Sequence, residues 1–164
     1  MAAYTIRLYG DPVLKQRAEE ITDVDGRLKA LADAMVETMY AAPGLGLAAP
    51  QVGVQKRLFV YDLDDGEGPR TIVNPTISEA RGEWTYDEGC LSVPGLYFPI
   101  VRPKEVHLTG WDLDGREVSI EADELQARLF QHELDHLDGT LLLEHLDADT
   151  RKAALRTLRQ RDAV

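Results

Sequence analysis

The sequence predicts an α+β fold, with mostly antiparallel strands packed around a central helix that carries the candidate metal ligands, and a further helix at the C-terminus. Three observations point there. Residues 25 to 40 and 123 to 137 carry apolar side chains at helical spacing. Residues 105 to 122 alternate apolar and polar around an Asp-Gly pair, the pattern of an antiparallel hairpin. The strands have hairpin character and lie between two or three helices, which suits segregated α+β layers.

In the first helix Leu28, Leu31, Met35 and Met39 step by three and four, with Asp25 as the cap. It ends at Pro43-Gly44. GLGLAAPQVG follows and is too glycine-rich for a regular element. RLFVYDL reads as a strand and DDGEGP, residues 64 to 69, as a turn. TIVNPTI, residues 71 to 77, reads as a short strand in which Pro75 demotes the middle or marks an edge. EVHLTGW and REVSIEA pair through Asp114-Gly115. From Asp123 to about Leu137 the period turns helical, and Leu125, Leu129, His132, Glu133 and His136 share one stripe toward the core. A last helix covers roughly 147 to 161.

The 164 residues, 44% hydrophobic and 29% charged, suit one domain spanning 1–164 with a real core. No apolar stretch reaches membrane-spanning length, and MAAYTIRLYGDPVL has no secretion leader. A lone cysteine, Cys90, excludes an internal disulfide framework and suits a reducing, cytoplasmic compartment. A net charge of −11 argues against wholesale nucleic-acid binding, so DNA is not an expected partner. The segment from Thr150 to Arg161 nevertheless holds Arg151, Lys152, Arg156, Arg159 and Arg161 and no acidic residue, against −16 for the remainder.

QHELDHLDG, residues 131 to 139, contains His-Glu-x-x-His. On a helix His132 and His136 are one turn apart and both imidazoles reach one metal, while Glu133 is placed to handle a proton of metal-bound water. Catalytic metals of this type take three protein ligands and keep a fourth position open. The downstream positions that complete two well-known peptidase patterns do not provide the third. Leu142 stands where one needs a histidine, and no Glu follows Glu144 for the other. His145, Asp147 and Asp149 are possible substitutes that nothing in their context favours. Upstream, Cys90 in DEGCLSVPG is the obvious candidate, since a thiolate is a strong ligand for zinc or iron(II) and Gly89 allows a tight backbone beside it. The bland alternative for Cys90 is a buried, inert thiol.

GLGLAAPQ (44–51), EGCLS (88–92) and QHELDH (131–136), in this order and spacing, resemble the peptide deformylase family, whose members remove the formyl group from the N-terminal methionine of new bacterial proteins. The resemblance covers essentially the whole chain and is to the shorter bacterial type. It implies an enzyme in which Cys90, His132 and His136 hold the metal, with water in the fourth position. Hydroxide generated there would attack the formyl carbon, with Glu133 as general base and then acid. Gln51 through its side-chain amide and Leu91 through its backbone N–H would stabilise the oxyanion. Leu45, Gly46 and Gly89 would bind the substrate backbone as an added strand. Leu125 and Leu129 would line the methionine pocket with Leu91.

The resemblance further implies Fe2+ as the cellular metal. The ligand set also suits Zn2+, Ni2+ and Co2+. The implied substrates are N-formylmethionyl nascent peptides, and the implied setting is the bacterial cytoplasm. Arg128 stands where the family often has an apolar residue, and is expected over the pocket rim with its head in water. His107 and His145 are expected to have no role in the site. The basic helix is expected either to touch ribosomal RNA near emerging chains or to be a solvated helix complementing its own dipole. A metallopeptidase with the same metal site is the runner-up, and a metal-binding relative without catalysis is a third reading.

Overall fold

The computed structural model describes residues 3–162. Helix α1, Gly26–Ala41, starts as its sequence predicts: Asp25 is extended and its side chain accepts from the Leu28 N–H at 3.0 Å. Strands β1 (Gly46–Ala48) and β2 (Leu58–Tyr61) flank a 3-10 turn at Ala49–Val52. The glycine-rich stretch is therefore regular, contrary to the expectation of an irregular loop. Its small residues let the backbone enter the core, where Leu47, Ala48 and Ala49 are fully buried. The Gln51 side chain accepts from the Ala48 N–H at 3.0 Å and fixes the turn, which Gly53 closes at φ +83°.

Strand β3 runs Arg70–Arg81, β4 Trp84–Cys90, β5 Val93–Arg102, β6 Glu105–Trp111 and β7 Glu117–Asp123. Helix α2, Glu124–Leu137, follows directly, and α3, Ala148–Asp162, comes last. The main sheet has the order β1-β2-β3-β6-β7, with every pair antiparallel, and β4–β5 form a separate two-stranded sheet. The anticipated β6–β7 hairpin forms, paired from Glu105 opposite Asp123 to Trp111 opposite Glu117; the Asp112 N–H donates to the Arg116 carbonyl at 2.9 Å, so the loop holds Leu113 as well as the Asp114-Gly115 pair. Strand β3 is longer than TIVNPTI and sits inside the sheet. Pro75 marks a register shift between Val73 and Thr76, so an interior bulge absorbs its missing donor. Beside it Asn74 takes φ +49°, and its amide both donates to and accepts from the Ile21 backbone, at 2.8 and 2.9 Å.

The continuous run Leu58–Tyr61 is buried because β2 is covered on both faces. Phe59 and Tyr61 face α2 and meet Phe130, with Tyr61 and Phe130 edge to face at 5.2 Å. Leu58 and Val60 face α1 and pack with Met35 and Met39. Helix α2 is thereby seated against the sheet by its apolar stripe, and the histidines of the same helix are carried to the junction with β4. No helix among the described residues is long and apolar enough to cross a membrane.

Candidate metal centre and active site

Helical geometry alone puts His132 and His136 one turn apart, with their Nε2 atoms 3.2 Å from each other. The third group comes from the end of β4: Cys90 Sγ lies 3.3 Å from His136 Nε2. Ligand atoms of Cys90, His132 and His136 all fall within 4.8 Å of one another. The downstream substitutes lie elsewhere. His145 Nε2 is 2.8 Å from Asp135, and the Asp147 side chain accepts from the Thr150 N–H at the start of α3. His107 sits between Glu121, at 2.6 Å, and Ser119, at 2.9 Å, on the main sheet.

The charges in this cluster are mutually arranged. Burial pushes the Cys90 thiol up, but the His136 and His132 imidazoles beside it outweigh burial and hold it well below its ordinary range. Burial opposes a charged His132, yet hydrogen bonds to Cys90 and Glu88 raise it well above the ordinary value. A thiolate and imidazoles gathered in this way are a soft and borderline donor set that fits a divalent transition metal.

Glu133 is buried, and its Oε1 has no partner among the described residues. Burial raises its pKa, only partly countered by His132 and His136. A buried carboxylate beside a histidine pair, with one oxygen free, can accept a proton and return it. Gln51 is also buried. Its Nε2 donates to Ser92 Oγ at 3.1 Å and to Cys90 Sγ at 3.6 Å, so the amide points into the centre and not into solvent.

Glu88 lies in EGCLS, where the sequence alone assigns it no role. The structure makes it the hub beneath the site. Glu88 is buried, accepts from Arg102 through both oxygens at 3.0 and 2.7 Å, and lies 3.2 Å from His132 Nδ1. A carboxylate at Nδ1 leaves Nε2 with its lone pair toward the ligand cluster. Burial pushes Glu88 up, but His132 and Arg102 bring it far below the ordinary carboxylate range. Arg102 also donates to Asp135 at 2.8 Å. The signal that could have found Glu88 was its period-two relation to Trp84 and Tyr86, which puts all three on one face of β4.

A cavity of about 690 Å³ opens beside this centre, lined by Leu45, Gly46, Gly89, Leu91, Leu125 and Leu129. Leu45 is 43% exposed at the mouth, while Leu129 is buried in the wall. Strand β1 is the edge of the main sheet, and its first residue, Gly46, lines the opening. Arg128 corrects an expectation. Its head is not in water: the residue is 3% exposed, donates to Glu88 at 3.2 Å and to the Trp84 carbonyl, and its guanidinium stacks over the Trp84 and Tyr86 rings.

The sequence model of the family described as polypeptide deformylase matches residues 3–152. A peptide deformylase of Acidothermus cellulolyticus is 48% identical over 160 residues, covering 98% of this chain and 88% of that one. One from Agathobacter rectalis is 51% identical over 147 residues, covering 90% and 92%. The fold is similar to the crystal structure of a Legionella pneumophila peptide deformylase, with a TM-score of 0.94, 39% identity and coverage of 99% and 96%. It is also similar to that of an Ehrlichia chaffeensis peptide deformylase in complex with actinonin, with a TM-score of 0.93, 38% identity and full coverage of both chains, 100% and 100%.

Proposed function

The chain belongs to the polypeptide deformylase family and is a hydrolase, and on that premise we propose that it removes the N-formyl group from the N-terminal methionine of newly synthesised proteins and releases formate. The observation that carries this reading is the convergence of Cys90, His132 and His136 beside the buried carboxylate of Glu133, whose Oε1 has no partner among the described residues, in the wall of an open cavity.

Cys90, His132 and His136 would hold a divalent ion, which when bound supplies Lewis acidity and lowers the pKa of water at the site. Glu133 takes a proton from the attacking water and returns it to the leaving amine. One water is consumed: its oxygen bonds to the formyl carbon, the C–N bond breaks, and formate leaves. The Gln51 amide and the Leu91 backbone N–H donate to the oxygen on which negative charge develops. Leu45, Gly46 and Gly89 bind the peptide backbone as an added strand, supported by the free edge of β1. Leu125, Leu129 and Leu91 receive the methionine side chain.

Iron(II) is the proposed resident ion, with zinc, nickel or cobalt able to substitute in the same donor set. Activity of an iron-loaded form would fall on air exposure, because the Cys90 thiolate, open to the cavity, can be oxidised by dioxygen. Activity unchanged after prolonged air exposure would favour zinc instead. The proposed setting is the bacterial cytoplasm, where nascent chains are made. The proposed second contact is between α3 and ribosomal RNA. Exposed Lys152, Arg156 and Arg159 support it, whereas Arg151 is turned inward onto the Leu143, Glu144 and Leu146 carbonyls.

The test is formate release from a formyl-methionyl tripeptide by anaerobically iron-loaded protein, with acetyl-methionyl and free peptides alongside. Formate release without deacetylation or peptide cleavage is expected. Comparable turnover of the acetyl peptide, or cleavage of the free one, would overturn the reading.

A further inference from the structure

Arg128 is a buried cation on α2, one turn before His132, and the groups that it hydrogen-bonds or stacks on lie on β4. Trp84, Tyr86 and Glu88 alternate along that strand and present one face. Arg128 uses all three: Nη1 donates to Glu88 Oε1 at 3.2 Å, Nη2 donates to the Trp84 carbonyl, and the guanidinium lies 5.4 and 5.8 Å from the Trp84 and Tyr86 ring centroids. The two rings are themselves stacked at 4.9 Å. A single planar group thus joins the helix carrying His132 and His136 to the strand carrying Cys90.

A buried guanidinium is costly unless it is paired and hydrogen-bonded. Here Arg102 is shared between Glu88 and Asp135. Arg128 supplies the second guanidinium, so that two guanidiniums face two carboxylates. Arg128 bonds Oε1 of Glu88, and the other oxygen, Oε2, is the one that faces His132 Nδ1. Arg102 holds both oxygens from β5, and Arg128 adds a second donor on Oε1 from α2, so the carboxylate that faces His132 is gripped from both elements.

We propose that Arg128 is a positioning residue: it clamps β4 and the Glu88 carboxylate against α2, and so sets where Cys90 stands relative to His132 and His136. This rests on the metal-site reading above. Among the described residues Arg128 makes no hydrogen bond to the proposed ligands, and it acts through Glu88 and the strand. Its planar fork is what does this, because a lysine ammonium on a single stem cannot bond Glu88 and the Trp84 carbonyl while stacking on two rings.

Cobalt(II) is the probe, because its visible absorption and sulfur-to-cobalt charge-transfer band report ligand geometry directly. Wild-type, Arg128→Met and Arg128→Lys chains are loaded anaerobically, and their spectra and their rates of cobalt loss to a chelator are compared. The metal-free forms are checked for cooperative thermal unfolding. Both variants are expected to shift the charge-transfer band and to lose cobalt about tenfold faster or more, the scale of removing a group that orients a metal-bound histidine. Wild-type spectra and wild-type loss rates in folded Arg128→Met would overturn the proposal. If that variant does not fold, Arg128→Lys with wild-type cobalt behaviour does so. A wild-type chain that takes up no cobalt would overturn the metal-site reading and this inference together. Uptake by wild type with unchanged variants would overturn this inference alone.

Discussion

Glu133 rests directly on the backbone of Gly46: a methyl group built on Gly46 would stand 2.6 Å from Glu133 Oε2. The glycine at this point serves close approach, since the contact is with a side chain that must itself stay in place. Gly46→Ala therefore displaces the carboxylate. The expected result is a loss of formate release of roughly 10²-fold, the scale of a misplaced catalytic group. Steady-state kinetics on a formyl-methionyl peptide measures it, and a variant with wild-type kcat would remove the contact from the mechanism.

Glu133→Gln separates chemistry from stability. Formate release falls by about 10²- to 10⁴-fold if the carboxylate carries the proton. Burial raises the Glu133 pKa, so the cost to the fold sets in as pH rises past the ordinary value of 4.5 and is complete above the raised folded value, where the buried carboxyl is charged. Neutral glutamine removes that cost, and the metal-free variant is expected to unfold at an equal or higher temperature than wild type. A large drop in its unfolding temperature would mean that Glu133 is chiefly structural.

Acid should destabilise the metal-free chain through Glu88 and Asp135. Burial pushes both carboxyls up, but His132 and Arg102 reverse this for Glu88, and His145 and Arg102 do so for Asp135. Both therefore titrate lower in the folded chain than in the unfolded one. Their stabilisation is complete above the ordinary values, 4.5 for Glu88 and 3.8 for Asp135, and is lost as pH falls below them toward the folded-state values. Thermal unfolding from about pH 7 to pH 3 shows the limb. Glu88→Gln should lower stability at neutral pH and flatten the acid limb, and an unflattened limb would assign the acid sensitivity elsewhere.

Phe130 ties α2 to the main sheet through Phe59 and Tyr61 and is fully buried. Phe130→Ala should cost about 3–5 kcal/mol in denaturant unfolding. Because α2 carries both histidines, cobalt uptake should weaken in parallel. Stability lost with cobalt affinity intact would show that the helix holds its place without this contact.

Reversing Lys152, Arg156 and Arg159 to glutamate tests the ribosome contact. Co-sedimentation with ribosomes should fall, and wild-type binding should itself weaken steeply with salt if phosphates are the partners. Formate release from a free tripeptide should not change. Co-sedimentation unaffected by the three reversals would leave α3 as a solvated helix.

What the sequence determined by itself is whatever depends on near neighbours along the chain. The Asp25 cap, the α1 stripe, the β6–β7 hairpin and the one-turn pairing of His132 with His136 are local consequences of helix and strand periods, and each was legible. The place of Cys90 beside the two histidines was legible for a chemical reason, as the lone thiol available to complete a candidate ligand set. Local pattern did not reveal the β4–β5 sheet, because neither strand alternates cleanly between buried and exposed positions. Nor did it reveal that the glycine-rich stretch holds an edge strand, since its regularity comes from pairing with β2. Arg128 and Glu88 show why most clearly. An arginine on a helix reads as a solvated rim residue until Trp84, Tyr86 and Glu88 arrive from a distant strand to bury it, and a glutamate two residues before a cysteine has no assigned partner until Arg102, Arg128 and His132 converge on it. Burial of a charge is a property of its partners, and those partners are brought together only by the tertiary fold.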